Sequence, residues 1–408
     1  MSRCVIVGAS HAAAQLCPAL RQQGWEGEIV LVGDEPYLPY HRPPLSKTVL
    51  AGGKTVEDIF IRPAAIYEKA QVDLRLGQRV TAVDAQAGNL TLDDGSALSY
   101  SKLVLATGAS ARKLPVPGTE LAGVYYLRSI EDVNRIRTRV APGKRAVIVG
   151  GGYIGLEAAA AMRGVGMEVT VLEALPRVLQ RVTPPAMSDF FQRLHAEEGV
   201  DIRTGVALEA IEGDDEVSGV RCADGSVFAA DLVVIGIGVI PRTELAEAAG
   251  LDVDNGIVVN EYVESSVPDI LAVGDCSNHF NPIYQRRIRL ESVQNATDQA
   301  KVAAATIAGK REAYNALPWF WSDQYNVKLQ IAGLSQGYDQ VVTRGDSEAG
   351  RSFATFYYAE GKLIACDAVN RAVEFMSTKR LLSAAKSLPP EILADDSNDL
   401  KALVAAEL

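Results

Sequence analysis

Residues 146–157 read Ala-Val-Ile-Val-Gly-Gly-Gly-Tyr-Ile-Gly-Leu-Glu. A short apolar run rich in β-branched residues enters Gly150, Gly152 and Gly155, and a run of helix formers over 156–163 leaves them, which predicts strand, tight turn and helix. In such a pattern Gly150 permits the turn, Gly152 lets the backbone approach a pyrophosphate, and Gly155 lets helix and strand pack closely. The free N–H groups and positive dipole end of the helix then face phosphates. A second apolar strand over 169–172 delivers Glu173 at about the 20-residue spacing of an acid that holds a ribose. The competing reading is a glycine-rich turn in an ordinary α/β domain, with Glu173 solvated.

The N-terminus repeats the pattern in weaker form. A strand over 4–7 enters Gly8-Ala9-Ser10-His11-Ala12-Ala13, a helix over 14–23 follows and stops at Gly24, and a strand over 29–32 delivers Gly33-Asp34-Glu35. Only the first glycine of the fingerprint is kept, but Ser10 and Ala13 are small enough for close backbone approach. Two copies of one nucleotide-binding pattern in one chain point to two dinucleotides. That arrangement suits hydride transfer between a nicotinamide and a flavin, where the protein's task is to place two rings face to face.

A chain of 408 residues exceeds one compact core and predicts two or three domains. Hydrophobic residues at 48%, charged residues at 22% and 35 glycines describe a globular α/β protein. The net charge of -11 argues against a general nucleic-acid or anionic-membrane binder. No apolar run approaches the ~20 residues of a membrane span, and the chain passes from Met1-Ser2-Arg3 directly into a core-type strand, so a cytoplasmic protein is expected. Cys4, Cys17, Cys222, Cys276 and Cys366 are scattered without a Cys-x-x-Cys pair, which disfavours a disulfide framework, a zinc site or a dithiol redox centre. They are expected to be small core residues.

Between the repeats, Tyr37-Leu38-Pro39-Tyr40-His41-Arg42-Pro43-Pro44-Leu45-Ser46-Lys47 predicts an irregular, extended loop. Strands are expected over 80–83, 89–92 and 102–106, the last opening into Thr107-Gly108-Ala109, and residues 112–118 read as a linker. Beyond Glu173 come a helix over 184–198, strands over 206–211, 217–222 and 231–235, then Gly236-Ile237-Gly238. A buried-type strand over 270–276 places Asp275 at its C-terminal end, where α/β sheets hold ligands. An alanine-rich helix over 293–308 follows. From Pro318 the texture changes to tryptophans and to strands over 327–332, 340–343, 352–358 and 362–369, then a helix over 372–385 and an acidic tail. The expected fold is therefore α/β: two Rossmann-like dinucleotide-binding domains plus a C-terminal α+β domain.

These residues together resemble the flavin-dependent ferredoxin reductases of oxygenase systems. The resemblance is carried by Arg42-Pro43-Pro44-Leu45-Ser46-Lys47, Ala106-Thr107-Gly108-Ala109, the glycines at 150–155, Gly274-Asp275-Cys276, Glu291-Ser292-Val293 and, most specifically, Trp319-Phe320-Trp321-Ser322-Asp323-Gln324-Tyr325. It implies a discontinuous FAD domain (1–112 and 242–314), an inserted NAD domain (113–241) and a C-terminal domain (315–408). FAD contacts are implied at Gly8, Ser10, His11, Ala12 and Ala13, and at Asp34 or Glu35. Further ones are implied at Arg42, Lys47, Val80, Ala106, Thr107, Gly108, Arg128, Gly274, Asp275, Ser292, Val293 and Trp321. For the nicotinamide coenzyme the implied set is Gly150, Gly152, Tyr153, Ile154, Gly155, Glu157, Glu173, Gly236, Ile237 and Gly238.

The resemblance also implies chemistry. NADH would dock on the 150–155 loop, with Glu173 accepting from the ribose hydroxyls and repelling a 2′-phosphate, a preference that Arg177 could soften. Lys47 and Glu157 match a lysine–glutamate pair that flanks the flavin N5 in related flavoenzymes; the competing reading leaves Glu157 as a solvated carboxylate at a helix start. The helix starting near Val293 would aim its N-terminus at the flavin pyrimidine edge. Trp321 would pack beside the flavin, or else in a domain core. Electrons would leave singly to an acidic two-iron ferredoxin docking near Arg286, Arg287 and Arg289, a run that could equally be a solvated loop. Two other functions compete: an NADH oxidase or dithiol reductase, and a redox sensor of the apoptosis-inducing-factor type.

Overall fold

The structure, a computed structural model, describes residues 2–408, which divide into two compact units. The first comprises residues 2–41, Glu57–Ser110 and Ile240–Pro318; the second comprises Arg42–Val56, Ala111–Val239 and Trp319–Leu408.

In the first unit five parallel strands lie in the order Ile270–Ala272, Lys102–Leu105, Arg3–Val7, Glu28–Gly33 and Val72–Leu76. In the second unit five parallel strands lie in the order Val124–Tyr126, Leu232–Ile235, Arg145–Val149, Glu168–Glu173 and Asp201–Thr204; the last four repeat the order of the first sheet, but the edge strand comes from before them in the chain rather than after. Their sequences are near-continuous runs of valine, isoleucine and leucine because a parallel sheet is covered on both faces. Val147 and Ile148 are fully buried, each stabilising the sheet by about 1.5–3 kcal/mol relative to exposure. The strand order reverses beside Arg3–Val7 in one sheet and beside Arg145–Val149 in the other, the place where such sheets open a crevice at the carboxyl ends of their strands.

Each first strand runs into a 13-residue helix, His11–Gln23 or Tyr153–Val165. Both helices start three residues earlier than expected, because the chain turns helical immediately after Ser10 and Gly152 rather than after the third small residue. Alanines line their buried faces, Ala12 to Ala14 in one and Ala158 to Ala160 in the other, allowing close packing on the sheet.

The second unit ends in a five-stranded antiparallel sheet ordered Trp319–Gln324, Val327–Gly333, Lys362–Val369, Ser352–Ala359 and Gln340–Asp346. The helix Ala372–Ser383 packs on it.

Two segments with no expected structure prove regular, and two expectations are corrected. Residues 319–324 form a strand, whose aromatic run concealed the two-residue alternation that buries Ser322 and Gln324. The acidic tail is helical at Pro390–Ala394 and Leu400–Glu407, with Leu393, Leu400 and Val404 buried. The strand expected over 270–276 stops at Ala272, and Gly274–Cys276 is a 3-10 turn because Gly274 takes a left-handed φ of 80°. Pro43–Ser46 is also a 3-10 helix, started by the fixed φ of proline, rather than extended loop. All five cysteines are buried free thiols. Among the described residues no helix is long and apolar enough to cross a membrane.

Candidate functional site

The two glycine loops have the same backbone. Gly8 N–H donates to Val32 O and Gly150 N–H to Leu172 O, both at 2.8 Å, while Ala106 and Gly236 donate to Val7 O and Val149 O, again at 2.8 Å. Gly8 and Gly150 take φ of 113° and 109°, which favour glycine. A Cβ on Gly8 would stand 2.1 Å from the Ala106 carbonyl oxygen, and one on Gly150 2.4 Å from that of Gly236. A Cβ on Gly152, by contrast, would meet nothing within 4 Å, so the second loop is open where a diphosphate approaches. Each loop leads directly into a helix N-terminus, whose positive dipole end favours an anion, and the residues present fit the pyrophosphate of a dinucleotide in both halves.

In the second half Glu173 ends its strand with both oxygens fixed: Oε2 accepts from Gly151 N–H and Oε1 from Leu175 N–H, each at 2.8 Å. The loop thus carries its acid in a set orientation. In the first half the register pairs Val7 with Val32 as it pairs Val149 with Leu172, so Gly33 stands where Glu173 does. A Cβ on Gly33 would meet the Ala9 side chain at 2.5 Å. The acids fall beyond. Asp34 lies 3.0 Å from the Arg242 guanidinium and 3.5 Å from that of Arg79. Burial alone would raise its pKa, but Arg242 and then Arg79 outweigh it and hold the carboxyl below its usual range. Glu35 accepts from Tyr40 OH at 2.5 Å.

Around the first loop, Thr107 Oγ1 donates to Arg242 O at 2.7 Å, fixing the Ala106-Thr107-Gly108 turn. Gly274 N–H donates to the fully buried Gln299 Oε1 at 2.7 Å, which sets the turn that presents Asp275. Ser292 caps the helix Val293–Ile307 by accepting from Asn295 N–H at 3.1 Å. Val80 is buried at the start of its strand.

In the second unit Lys47 Nζ lies 2.7 Å from Glu157 Oε2, and Glu157 is only 5% exposed, so it is not a solvated helix-start residue. Ser46 Oγ donates to the same oxygen at 2.6 Å, and Ser322 Oγ donates to Oε1 at 2.6 Å. Lys47 Nζ also donates to Pro43 O at 3.3 Å. Arg42 reaches back to Arg128 O at 2.8 Å. Trp321 is half-buried, with its ring centroid 5.7 Å from that of Trp319. Of the residues expected at FAD, Arg42, Lys47, Arg128 and Trp321 belong to the second unit and the others to the first.

Two expectations fail. Arg177 donates to Thr183 O at 2.7 Å, to Ser188 Oγ at 2.6 Å and to Gln180 O at 3.2 Å, so its guanidinium closes its own loop. Arg289, 12% exposed, pairs with Glu291 at 2.7 Å and donates to Asp275 O at 3.4 Å; it braces the Asp275 turn and offers no docking charge. Arg286 and Arg287 lie on the strand Arg286–Ile288 rather than on a loop, and Arg287 donates to Asn278 O at 3.1 Å.

The sequence reading missed Ser46, Ser322, Gly151 and Arg242. Ser46 and Ser322 stand inside stretches already singled out, two positions from residues assigned a role or beside them, and a two-residue strand period through Trp319–Gln324 points Ser322 inward.

The fold and both loops define a two-dinucleotide oxidoreductase: the chain belongs to the pyridine nucleotide-disulphide oxidoreductase family, whose profile matches residues 2–300. The reductase C-terminal family matches residues 319–404. Putidaredoxin reductase of Pseudomonas putida is 45% identical over 98% of this chain and 96% of its own length. The ferredoxin–NAD(+) reductase component of the anthranilate 1,2-dioxygenase system of Burkholderia cepacia is 41% identical over 97% and 98%. The crystal structure of a covalent putidaredoxin reductase–putidaredoxin complex matches with a TM-score of 0.96 at 45% identity, covering 100% of this chain and 99% of that one.

Proposed function

We propose that this protein is an NADH-dependent ferredoxin reductase, using FAD to pass electrons to a small two-iron ferredoxin that supplies a monooxygenase or ring-hydroxylating dioxygenase. The observation that carries this reading is the pair of matching nucleotide loops in one chain that is similar over nearly its whole length to reductases of such systems. The flavin, when bound, accepts a hydride equivalent from NADH and gives up electrons one at a time.

The chain's own residues do the rest. Gly8 and the start of the helix His11–Gln23 hold the FAD diphosphate, and Gly150, Gly152 and the start of Tyr153–Val165 hold that of NADH. Glu173, already fixed by two amides, accepts from the adenosine ribose and opposes a 2′-phosphate, favouring NADH. Lys47, held by Glu157, presents a cation toward the flavin, and Trp321 packs beside the ring. The FAD domain comprises 1–112 and 242–314, the NAD domain 113–241 and the C-terminal domain 315–408. Arg286 and Arg287 offer positive charge to an acidic ferredoxin. The cytoplasm, with its NADH supply, is the proposed compartment; the five reduced, buried thiols suit it.

The test is reduction of a two-iron ferredoxin, coupled to cytochrome c, by the FAD-loaded protein with NADH or NADPH. NADH-driven, ferredoxin-dependent reduction is expected. Flavin reduction by NADH that never passes to any two-iron ferredoxin would overturn the reading.

A further inference from the structure

A row of polar side chains runs through the core of the second unit behind Glu157. Ser322 and Gln324 come from the strand Trp319–Gln324 and His195 from the helix Pro185–Glu197; all three are at most 2% exposed. Tyr325 follows the strand at its turn. The contacts are continuous: Tyr325 OH to His195 Nδ1 at 3.1 Å, His195 Nε2 to Gln324 Oε1 at 2.8 Å, Gln324 Nε2 to Ser322 Oγ at 3.2 Å, and Ser322 Oγ to Glu157 Oε1 at 2.6 Å.

The carboxylate at one end fixes every donor. Glu157 only accepts, so Ser322 spends its hydroxyl proton on it and must accept from the Gln324 amide nitrogen. That turns the Gln324 oxygen toward His195, whose Nε2 therefore carries the hydrogen, and leaves Nδ1 to accept from Tyr325. Burial depresses the His195 pKa to about 4, which keeps the ring neutral in this tautomer. Tyr325 holds a left-handed φ of 54°, strained for a bulky residue, at the point where its hydroxyl reaches His195.

Burying three uncharged polar groups, with Tyr325 half-buried beside them, costs stability unless each is paired, and here each donor in the row is spent in one direction, toward Glu157. An amide in the middle orients rather than passes on protons. We propose that Ser322, Gln324, His195 and Tyr325 are positioning residues that hold the Glu157 carboxylate in one orientation, and through it the ammonium group of Lys47. The C-terminal domain and the NAD-domain helix would thereby set the charge presented to the flavin. This rests on the reading that Lys47 acts on the flavin.

The test uses the full-length FAD-loaded protein and compares the flavin midpoint potential, the limiting rate of flavin reduction at saturating NADH, and NADH Kd. Ser322→Ala is expected to shift the potential in the same direction as Glu157→Gln and to slow the limiting rate roughly tenfold, the worth of one hydrogen bond to a charged group. NADH Kd should not change, and Ser322→Thr, which keeps the hydroxyl, should restore both values. Ser322→Ala added to Glu157→Gln should do no further harm, because the effect passes through the carboxylate. Gln324→Asn, withdrawing the amide from Ser322, should repeat the Ser322→Ala shift, and it serves as the deciding variant if Ser322→Ala does not fold. Unchanged potential and rate in these variants, with Glu157→Gln still shifting both, overturns the positioning row and leaves the Lys47 reading standing. If Glu157→Gln and Lys47→Met also change nothing, that reading falls and the proposal falls with it.

Discussion

The two nucleotide loops share the order of the four strands around them, hydrogen-bond register and helix length, yet differ at the residue that ends the strand after the loop helix. In the second unit Glu173 occupies that position and grips its own glycine loop through Gly151. In the first unit Gly33 occupies it, the Ala9 methyl fills the space a side chain would need, and the acids are pushed on to Asp34 and Glu35. The third small residue differs too. A Cβ on Gly155 would stand 2.1 Å from Gly150 O, whereas Ala13 carries its methyl fully buried. The shared features are those a diphosphate requires.

The sharpest way to break this comparison is to place a methyl on each first glycine. Gly150→Ala and Gly8→Ala should each impose strain and overlap of about 2–4 kcal/mol. The first should abolish measurable NADH binding with FAD retained, the second should release FAD. If Gly8→Ala instead loses NADH and keeps FAD, the two halves have been assigned the wrong way round.

Acid should affect both units alike. His195 in the second and His279 in the first are buried, each with its pKa depressed from 6.5 to about 4, by desolvation in both and by Arg287 as well at His279. Both sites favour the neutral ring, so their stability is present above pH 6.5 and is lost as pH falls toward 4. At about 1.4 kcal/mol per unit this comes to roughly 3 kcal/mol for each histidine. Urea unfolding monitored by hydrogen exchange should show His195→Gln flattening that loss in the second unit and His279→Gln flattening it in the first.

A smaller effect tests the ribose acids. Glu173→Ala should lower the NADH:NADPH ratio of kcat/KM by about tenfold, the worth of a hydrogen bond to a charged group. Asp34→Asn should leave that ratio unchanged. Smallest of all, Ala13→Gly should cost under about 1 kcal/mol of thermal stability and leave FAD affinity intact.

The parallel sheets were legible because buried strands must be long apolar runs and because a phosphate turn needs glycine at one fixed place. The Gly274–Cys276 turn and the Pro43–Ser46 helix were not, since a single left-handed glycine or a pair of prolines redirects a chain whose composition still reads as strand or loop. Lys47 and Glu157 were found only through resemblance; they are 110 residues apart in sequence and nothing local joins them. Ser322 was overlooked because the aromatic run Trp319-Phe320-Trp321 just before it dominates the stretch. Arg177 and Arg289 misled for the opposite reason: an arginine near a ligand loop reads as a ligand contact, while its five donors more often tie down carbonyls of its own turn.

The bonds from Ser322 to Glu157 and from Gln324 to His195 join the C-terminal antiparallel sheet to the helices around the parallel sheet of the same unit through buried polar atoms, and Arg351 adds ion pairs to Glu197 and Glu198, each at 2.8 Å. Seams of grease tolerate exchange of one side for another of similar shape, but a seam of matched donors and acceptors does not. A chimera that grafts another reductase's C-terminal domain onto this chain must bring its serine, glutamine and arginine in register, or the graft will leave Glu157 and His195 facing a surface that cannot answer them.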